Sequence, residues 1–400
     1  MSVWFKPRAQ LDTVEQIPFL QQVENNPNRN YWLKGFAGSG KSLLLIHCLI
    51  DEKLRNPNSN TVIVLFTYSL IDMLEEGIPE EFNGTPVVTY FKFMRMHDTF
   101  DLILVDEIQD IPEHVLIEIE SKRSVNGRVI VAGDINQSIF DNTPSNEVIK
   151  ARIGIPNNGS EYLLNRIYRL SRRIRKISAE YCNDRQNYEA AQVMDFNANV
   201  PVSIIKAGNI EQECTWLWAA SKEYGNAGYV PSILISNKDR IIHFIETVLQ
   251  NENKPSLNNE WLSNGDIQFG NINNHLINNG IKLQYLGNKY GSFEKAHSEN
   301  LVTIMTYHSS KGLDFKAVFI PFLNNEYQIF GDYTISRALF FVALTRSREQ
   351  LILSYSGTEK HPFLTSTIIA ECTQKNAIDE LRRMQNPLGN VNNGDDVVLI

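Results

Sequence analysis

Residues 35–42 read Gly-Phe-Ala-Gly-Ser-Gly-Lys-Ser, and the spacing G-x-x-x-x-G-K-[ST] is that of a loop that cradles a polyphosphate. Gly35, Gly38 and Gly40, with Ser39 between the last two, let the backbone curl and aim its N–H groups at anionic oxygens. Lys41 reaches the outer phosphates as a point charge, and Ser42 offers a hydroxyl to Mg²⁺. The flanks suit the loop. Tyr31-Trp32-Leu33 reads as a strand before it, and Leu43–Ile50 reads as a buried helix whose positive end faces the phosphates. A nucleoside triphosphate with Mg²⁺ is the ligand these residues select.

A second acidic element follows. The apolar run Leu102-Ile103-Leu104-Val105 ends in Asp106-Glu107-Ile108-Gln109-Asp110. Asp106 is placed to hold Mg²⁺, directly or through water, and Glu107 to orient or deprotonate an attacking water. The phosphate loop alone leaves a kinase, a GTPase and a transporter ATPase open; the acidic pair adds hydrolysis.

Alternating strands and helices must position these groups. Thr61–Phe66, Val87–Thr89, Leu102–Val105 and Arg128–Ala132 read as strands buried on both faces of a parallel sheet. Pro- and Asn-rich stretches near 145–160 mark a boundary. A second α/β pattern has strands at Val200–Lys206, Pro231–Ser236, Lys282–Tyr285, Val302–Thr306, Ala317–Ile320 and Gln350–Ser354. The expected division is a first domain over 1–155, a second over 156–386 and a mobile tail over 387–400. The Asn-rich stretch 251–280 reads as a surface excursion. If helical, Arg169, Arg172, Arg173 and Lys176 share one face, either as a solvated basic helix or as a local track for phosphates.

Further motifs follow in order, and with the first two they resemble the superfamily 1 helicases of the UvrD/Rep/PcrA group. Thr67-Tyr68-Ser69 and Thr89-Tyr90-Phe91 are similar to the family's strand-contacting elements. Gly133-Asp134-Ile135-Asn136-Gln137-Ser138-Ile139-Phe140 resembles its glutamine motif. Leu164-Asn165-Arg166-Ile167-Tyr168-Arg169-Leu170-Ser171, Thr306–Phe315 and Val342-Ala343-Leu344-Thr345-Arg346 resemble three later ones. The resemblance implies two tandem RecA-like domains with parallel sheets flanked by helices and ATP in the cleft between them. Lys41, Glu107, Gln137, Arg169 and Arg346 are then the catalytic set, the two arginines arriving from the second lobe. Gln16 stands for the glutamine that reads adenine, and Tyr168 for the ring that stacks on it. Gly312 and Asp314 fall at the nucleotide, with Asp314 where relatives carry the glutamate associated with the ribose. Phe66, Thr67, Thr89, Phe140 and His308 fall to the nucleic acid.

Three departures from that pattern stand out. Phe93–Phe100 runs almost directly into the Asp106 strand, which leaves no room for the family's first inserted domain. Asn142 stands where a base-stacking Trp is usual. Leu43 follows Ser42 where relatives often place an Arg over the adenine. The implied activity is ATP hydrolysis coupled to 3′→5′ movement on single-stranded or partly duplex DNA. The alternative is an ATP-driven regulatory subunit that switches an effector such as a nuclease, with RNA as a further substrate class.

Bulk properties agree with a globular chain of two to three domains. The formal net charge of −8 opposes a surface coated for indiscriminate nucleic-acid binding. No apolar run approaches the roughly 20 residues that span a bilayer, and the N-terminal residues lack a signal-peptide core. Cys48, Cys182, Cys214 and Cys372 have neither metal nor disulfide spacing, so a reducing cytoplasm is the expected home.

Overall fold

The computed structural model describes residues 5–133, 138–139, 143–155, 160–194, 200–262, 267–287, 289–326 and 328–386. Gln137, Phe140, Asn142 and the 387–400 tail lie outside the described residues.

Six strands form the first sheet: β1 (Tyr31–Gly35), β2 (Thr61–Leu65), β3 (Val87–Thr89), β4 (Phe100–Val105), β5 (Arg123–Gly133) and β6 (Glu161–Leu164). All pairs are parallel, in the order β3-β2-β4-β5-β1-β6. Alternation along each strand divides the apolar side chains between the two faces. Leu33, Ile63, Leu65, Leu102 and Leu104 enter one core, while Trp32, Val62, Val64, Ile103 and Val105 enter another on the opposite face. Both faces are therefore covered, which is why these strands read as unbroken apolar runs.

A short ribbon pairs β7 (Arg166–Ile167) with β8 (Gln192–Val193). The second sheet holds β9 (Val202–Ala207), β10 (Pro231–Ile235), β11 (Leu283–Tyr285), β12 (Val302–Thr306), β13 (Phe315–Ile320), β14 (Ser347–Ser356) and β15 (Thr373–Asn376). Its order is β11-β12-β10-β13-β14-β9-β15, again all parallel. The two α/β units with parallel sheets are those expected, and both are RecA-like. Their facing rims are packed. Phe36 of the phosphate loop meets Tyr188 edge-on at 5.1 Å between centroids, and Tyr188 meets Phe341.

Three details differ from the sequence reading. Strand β6 pairs with β1, so the first sheet extends past residue 155. The Asn-rich stretch contains a helix, Phe269–Asn278, that buries Phe269, Ile272, Asn273 and Leu276. Asn273 receives the Tyr285 N–H at 2.7 Å and donates to the Tyr285 carbonyl at 2.9 Å, holding β11 at the sheet edge. The basic run does not form one helical face either. Its helix is Arg172–Ser178, capped by the Ser171 hydroxyl, and Arg169 lies ahead of it. Arg173 and Arg175 donate to backbone carbonyls, and Lys176 pairs with Glu371, so these cations brace the fold.

Candidate nucleotide-hydrolysis site

The phosphate loop leaves the end of β1 and enters the helix Lys41–Arg55. Gly38 and Gly40 have φ of +79° and +88°, a region that side chains rarely adopt. They also admit close neighbours. A Cβ at Gly38 would stand 2.7 Å from Arg169 Cβ, and one at Gly40 would stand 2.6 Å from Gln16 Nε2. Gly40→Ala is therefore expected to destabilise the fold by about 1–2 kcal/mol from backbone strain alone and to weaken nucleotide binding. Thermal unfolding and a nucleotide titration measure the two effects.

Lys41 donates to the Gly35 carbonyl at 2.8 Å and to the Phe36 carbonyl at 3.2 Å, so its ammonium lies along the loop. The Ser42 hydroxyl donates to Asp106 Oδ2 at 2.5 Å. Burial and the neighbouring Glu107 charge push the Asp106 carboxyl up to about 6. Burial also pushes the Glu107 carboxyl up, but the Lys311 and Lys41 ammonium groups outweigh it and leave Glu107 below the usual carboxylate range. Gln109 Nε2 donates to Glu107 Oε2 at 2.5 Å, and Glu107 takes a left-handed φ of +53°. Ser42 and Asp106 are adjacent hard oxygen ligands, which fits Mg²⁺. That ion needs only one or two protein carboxylates beside water and phosphate oxygens. Bound there, Mg²⁺ would neutralise charge on the phosphate oxygens.

The opposite wall is cationic. Arg346 is only 1% exposed. It donates through Nε to the Val342 carbonyl, through Nη1 to the Leu313 carbonyl and through Nη2 to Thr345 Oγ1. Burial and the nearby Arg169 charge bring it down to about 9, so it stays cationic at neutral pH. Asp314 binds Arg169 at 3.3 Å and Arg348 at 2.6 and 2.7 Å. Burial raises the Asp314 carboxyl, and the two arginines more than reverse that. Lys41, Ser42, Glu107, Tyr168, Arg169, Gly312, Asp314, Arg346 and Arg348 line one cavity of about 380 Å³. Among the described residues, the buried Nε atoms of Arg169 and Arg348 have no hydrogen-bond partner, which suits a site for a polyanion.

Tyr168 is tied to the loop by its N–H, which donates to the Gly38 carbonyl at 2.9 Å, and burial raises its phenol. Gln16 is buried against the loop rather than lining the cavity. Its Oε1 accepts from the Asp12 N–H at 3.0 Å, and its Nε2 donates to the Ser39 carbonyl at 3.4 Å. Lys6, exposed on the N-terminal segment, lines the cavity beside Leu43. Lys6, Arg348 and Lys311 were not singled out from the sequence. Arg348 adjoins the Arg346 motif, and Lys311 lies inside another motif, so only the motifs marked them.

The residues expected at the nucleic acid fall into two groups. Phe66 and Thr67 follow β2, and Thr89 ends β3 with its side chain buried. Phe66 stacks on Tyr90 at 5.4 Å, and Tyr90 lies 4.0 Å from Phe91, which is 55% exposed. His308 follows β12 in the second lobe and faces Phe330 at 5.8 Å. Lys289 of that lobe sits 4.4 Å over the Tyr68 ring of the first.

Residues 32–204 match the viral superfamily 1 RNA helicase core domain, and residues 235–358 match the UvrD-like helicase C-terminal domain. None of the curated proteins matches the chain. Among solved structures, it is similar to the C-terminal domain of a possible DNA helicase from Lactobacillus plantarum WCFS1. That likeness has 17% identity and a TM-score of 0.32, covering 52% of this chain and 98% of that one.

Proposed function

Starting from a chain that belongs to helicase superfamily 1, with a UvrD-like second lobe, we propose an ATP-driven motor on single-stranded DNA that moves 3′→5′. The observation that carries this reading is the shared cavity. Lys41, Ser42 and Glu107 of the first lobe meet Asp314, Arg346 and Arg348 of the second across about 380 Å³. Hydrolysis of a γ-phosphate needs charge neutralisation and a placed water more than covalent chemistry. Lys41 binds the outer phosphates. Glu107 orients the water and takes its proton. Arg169 and Arg346 meet the charge that develops in the transition state. Ser42 and Asp106 hold Mg²⁺, Gln137 senses the γ-phosphate, and Gln16, Tyr168, Gly312 and Asp314 shape the site around the nucleotide.

Hydrolysis that requires both lobes makes each turnover depend on their closure. A strand lying across both rims is then gripped and released in step with it. The aromatic side chains at Phe66 and Phe91, backed by the buried Tyr90, suit unpaired bases, since every base has a face to stack. Thr67, Thr89, Phe140 and His308 complete the proposed path. No helix among the described residues is long and apolar enough to cross a membrane. A cytoplasmic setting fits the four free cysteines.

The test is the ATPase rate of the purified chain with single-stranded DNA, forked duplex, duplex ends and RNA. Single-stranded DNA should stimulate hydrolysis, and a tailed duplex should be displaced from its 3′ tail. Equal rates with and without nucleic acid would sink the motor. Stimulation by RNA alone would reassign the substrate, in line with the name of the family that the first lobe matches. A second reading, an ATP switch for an effector such as a nuclease, is favoured by the compact first lobe. The helix Tyr90–Met94 leads straight to Phe100 of β4, with no inserted domain between them. Purification of the chain always alone, with robust unwinding, would exclude it.

A further inference from the structure

We propose that Lys311 is a positioning residue that transmits the second lobe's position to Glu107. The inference rests on Glu107 serving as the general base in the motor reading. Lys311 belongs to the turn after β12, yet its ammonium enters the first lobe. It pairs with Asp110 and lies 3.9 Å from Glu107 Oε2. Lys311 and Asp110 are each 2% exposed. Asp110 ends the single turn Ile108–Asp110 that Glu107 begins, so the ammonium grips both ends of that turn. A buried pair of this kind adds little over well-packed apolar residues, so stability alone does not account for an ammonium at this seam.

The next residue fixes the approach. Gly312 has φ of +81°, and a Cβ there would stand 2.6 Å from Leu70 Cδ2 on the first lobe's helix Ser69–Gly77. The turn is therefore pressed against the first lobe, and separation of the lobes would withdraw Lys311 from the Glu107 turn. Glu107 then keeps Gln109 but loses the cation on the side of the second lobe. Arg346 meets the phosphates from the second lobe; Lys311 acts on the base instead.

The experiment compares Lys311→Met and the double variant Lys311→Met/Asp110→Asn with the parent chain. The double variant removes the carboxylate that Lys311→Met strands in the core, so it keeps the idea testable if the single variant fails to fold. DNA-stimulated kcat should fall about 100-fold in both, within the range for a displaced general base. KM for ATP and the affinity for a fluorescent nucleotide should stay within about threefold, well under the tenfold that 1.4 kcal/mol represents. A double variant with near-parental kcat would overturn the proposal, because Lys311 would then only neutralise Asp110. A loss confined to KM would overturn it as well. A parent chain that nucleic acid fails to stimulate would instead remove the motor reading.

Discussion

Glu107→Gln will bind ATP as tightly as the parent chain and hydrolyse it about 10²–10⁴ times more slowly, the range for loss of a general base. The substitution keeps the shape of the side chain and removes its capacity to take a proton. The surroundings already separate the two neighbouring acids. Asp106 is pushed up to about 6 by burial and by the Glu107 charge. Burial raises Glu107 too, but Lys311, Lys41 and the Gln109 hydrogen bond outweigh it and hold it below the usual range. On acidification Asp106 takes up a proton first and Glu107 stays ionised. A base that is anionic throughout neutral pH is the species that can accept a proton from water. Nucleotide titration and single-turnover hydrolysis separate binding from chemistry. Undiminished hydrolysis would give the proton to another acceptor.

Arg346→Ala should cost about 10³-fold or more in kcat, the scale of an arginine finger. Its guanidinium is aligned before any ligand arrives by the Val342 and Leu313 carbonyls and Thr345 Oγ1. Those bonds engage three of its five N–H donors, and each Nη carries a second N–H. The same bonds predict a lower Tm in the variant, since the Leu313 and Val342 carbonyls each lose a donor, Val342 keeping only the Thr345 hydroxyl. Arg346→Lys separates the effects by keeping a charge without the planar fork. Burial and the Arg169 charge work against the Arg346 cation, yet a guanidinium keeps its proton in proteins, so the loss in Arg346→Ala should be of similar size across neutral and mildly alkaline pH. A folded Arg346→Ala chain with parental kcat would end the finger assignment.

What could be read from sequence was local. Gly35–Ser42 and Asp106–Glu107 are short segments whose spacing is their chemistry, and strands such as Thr61–Leu65 are buried on both faces, so their apolar runs are unbroken. The pairing of Lys311 with Asp110 joins residues 201 positions apart, which no local pattern reports. Strand β6 stayed hidden because it is an edge strand with Leu163 exposed and Glu161 turned toward Lys34 and Lys150. The helix Phe269–Asn278 did leave a signal in Phe269, Ile272 and Leu276. Asparagines between them masked it, and one of those, Asn273, is buried as a ligand of the β11 backbone. The basic run misled for the opposite reason. Arg172 and Lys176 do lie at the surface, whereas Arg173 and Arg175 are taken up by backbone carbonyls of the fold.

Strand β6 also has a mechanical consequence. The chain leaves the first sheet at Leu164 and within a few residues sets Tyr168 and Arg169 against Gly38. The connection between the lobes therefore runs beside the phosphates, and the nucleotide would sit at the axle of any rotation between them. Atoms near an axle travel little, while those at the far rim travel in proportion to their radius. Small adjustments around a phosphate thus emerge, with leverage and no added parts, as long strokes at the outer edge of the cleft.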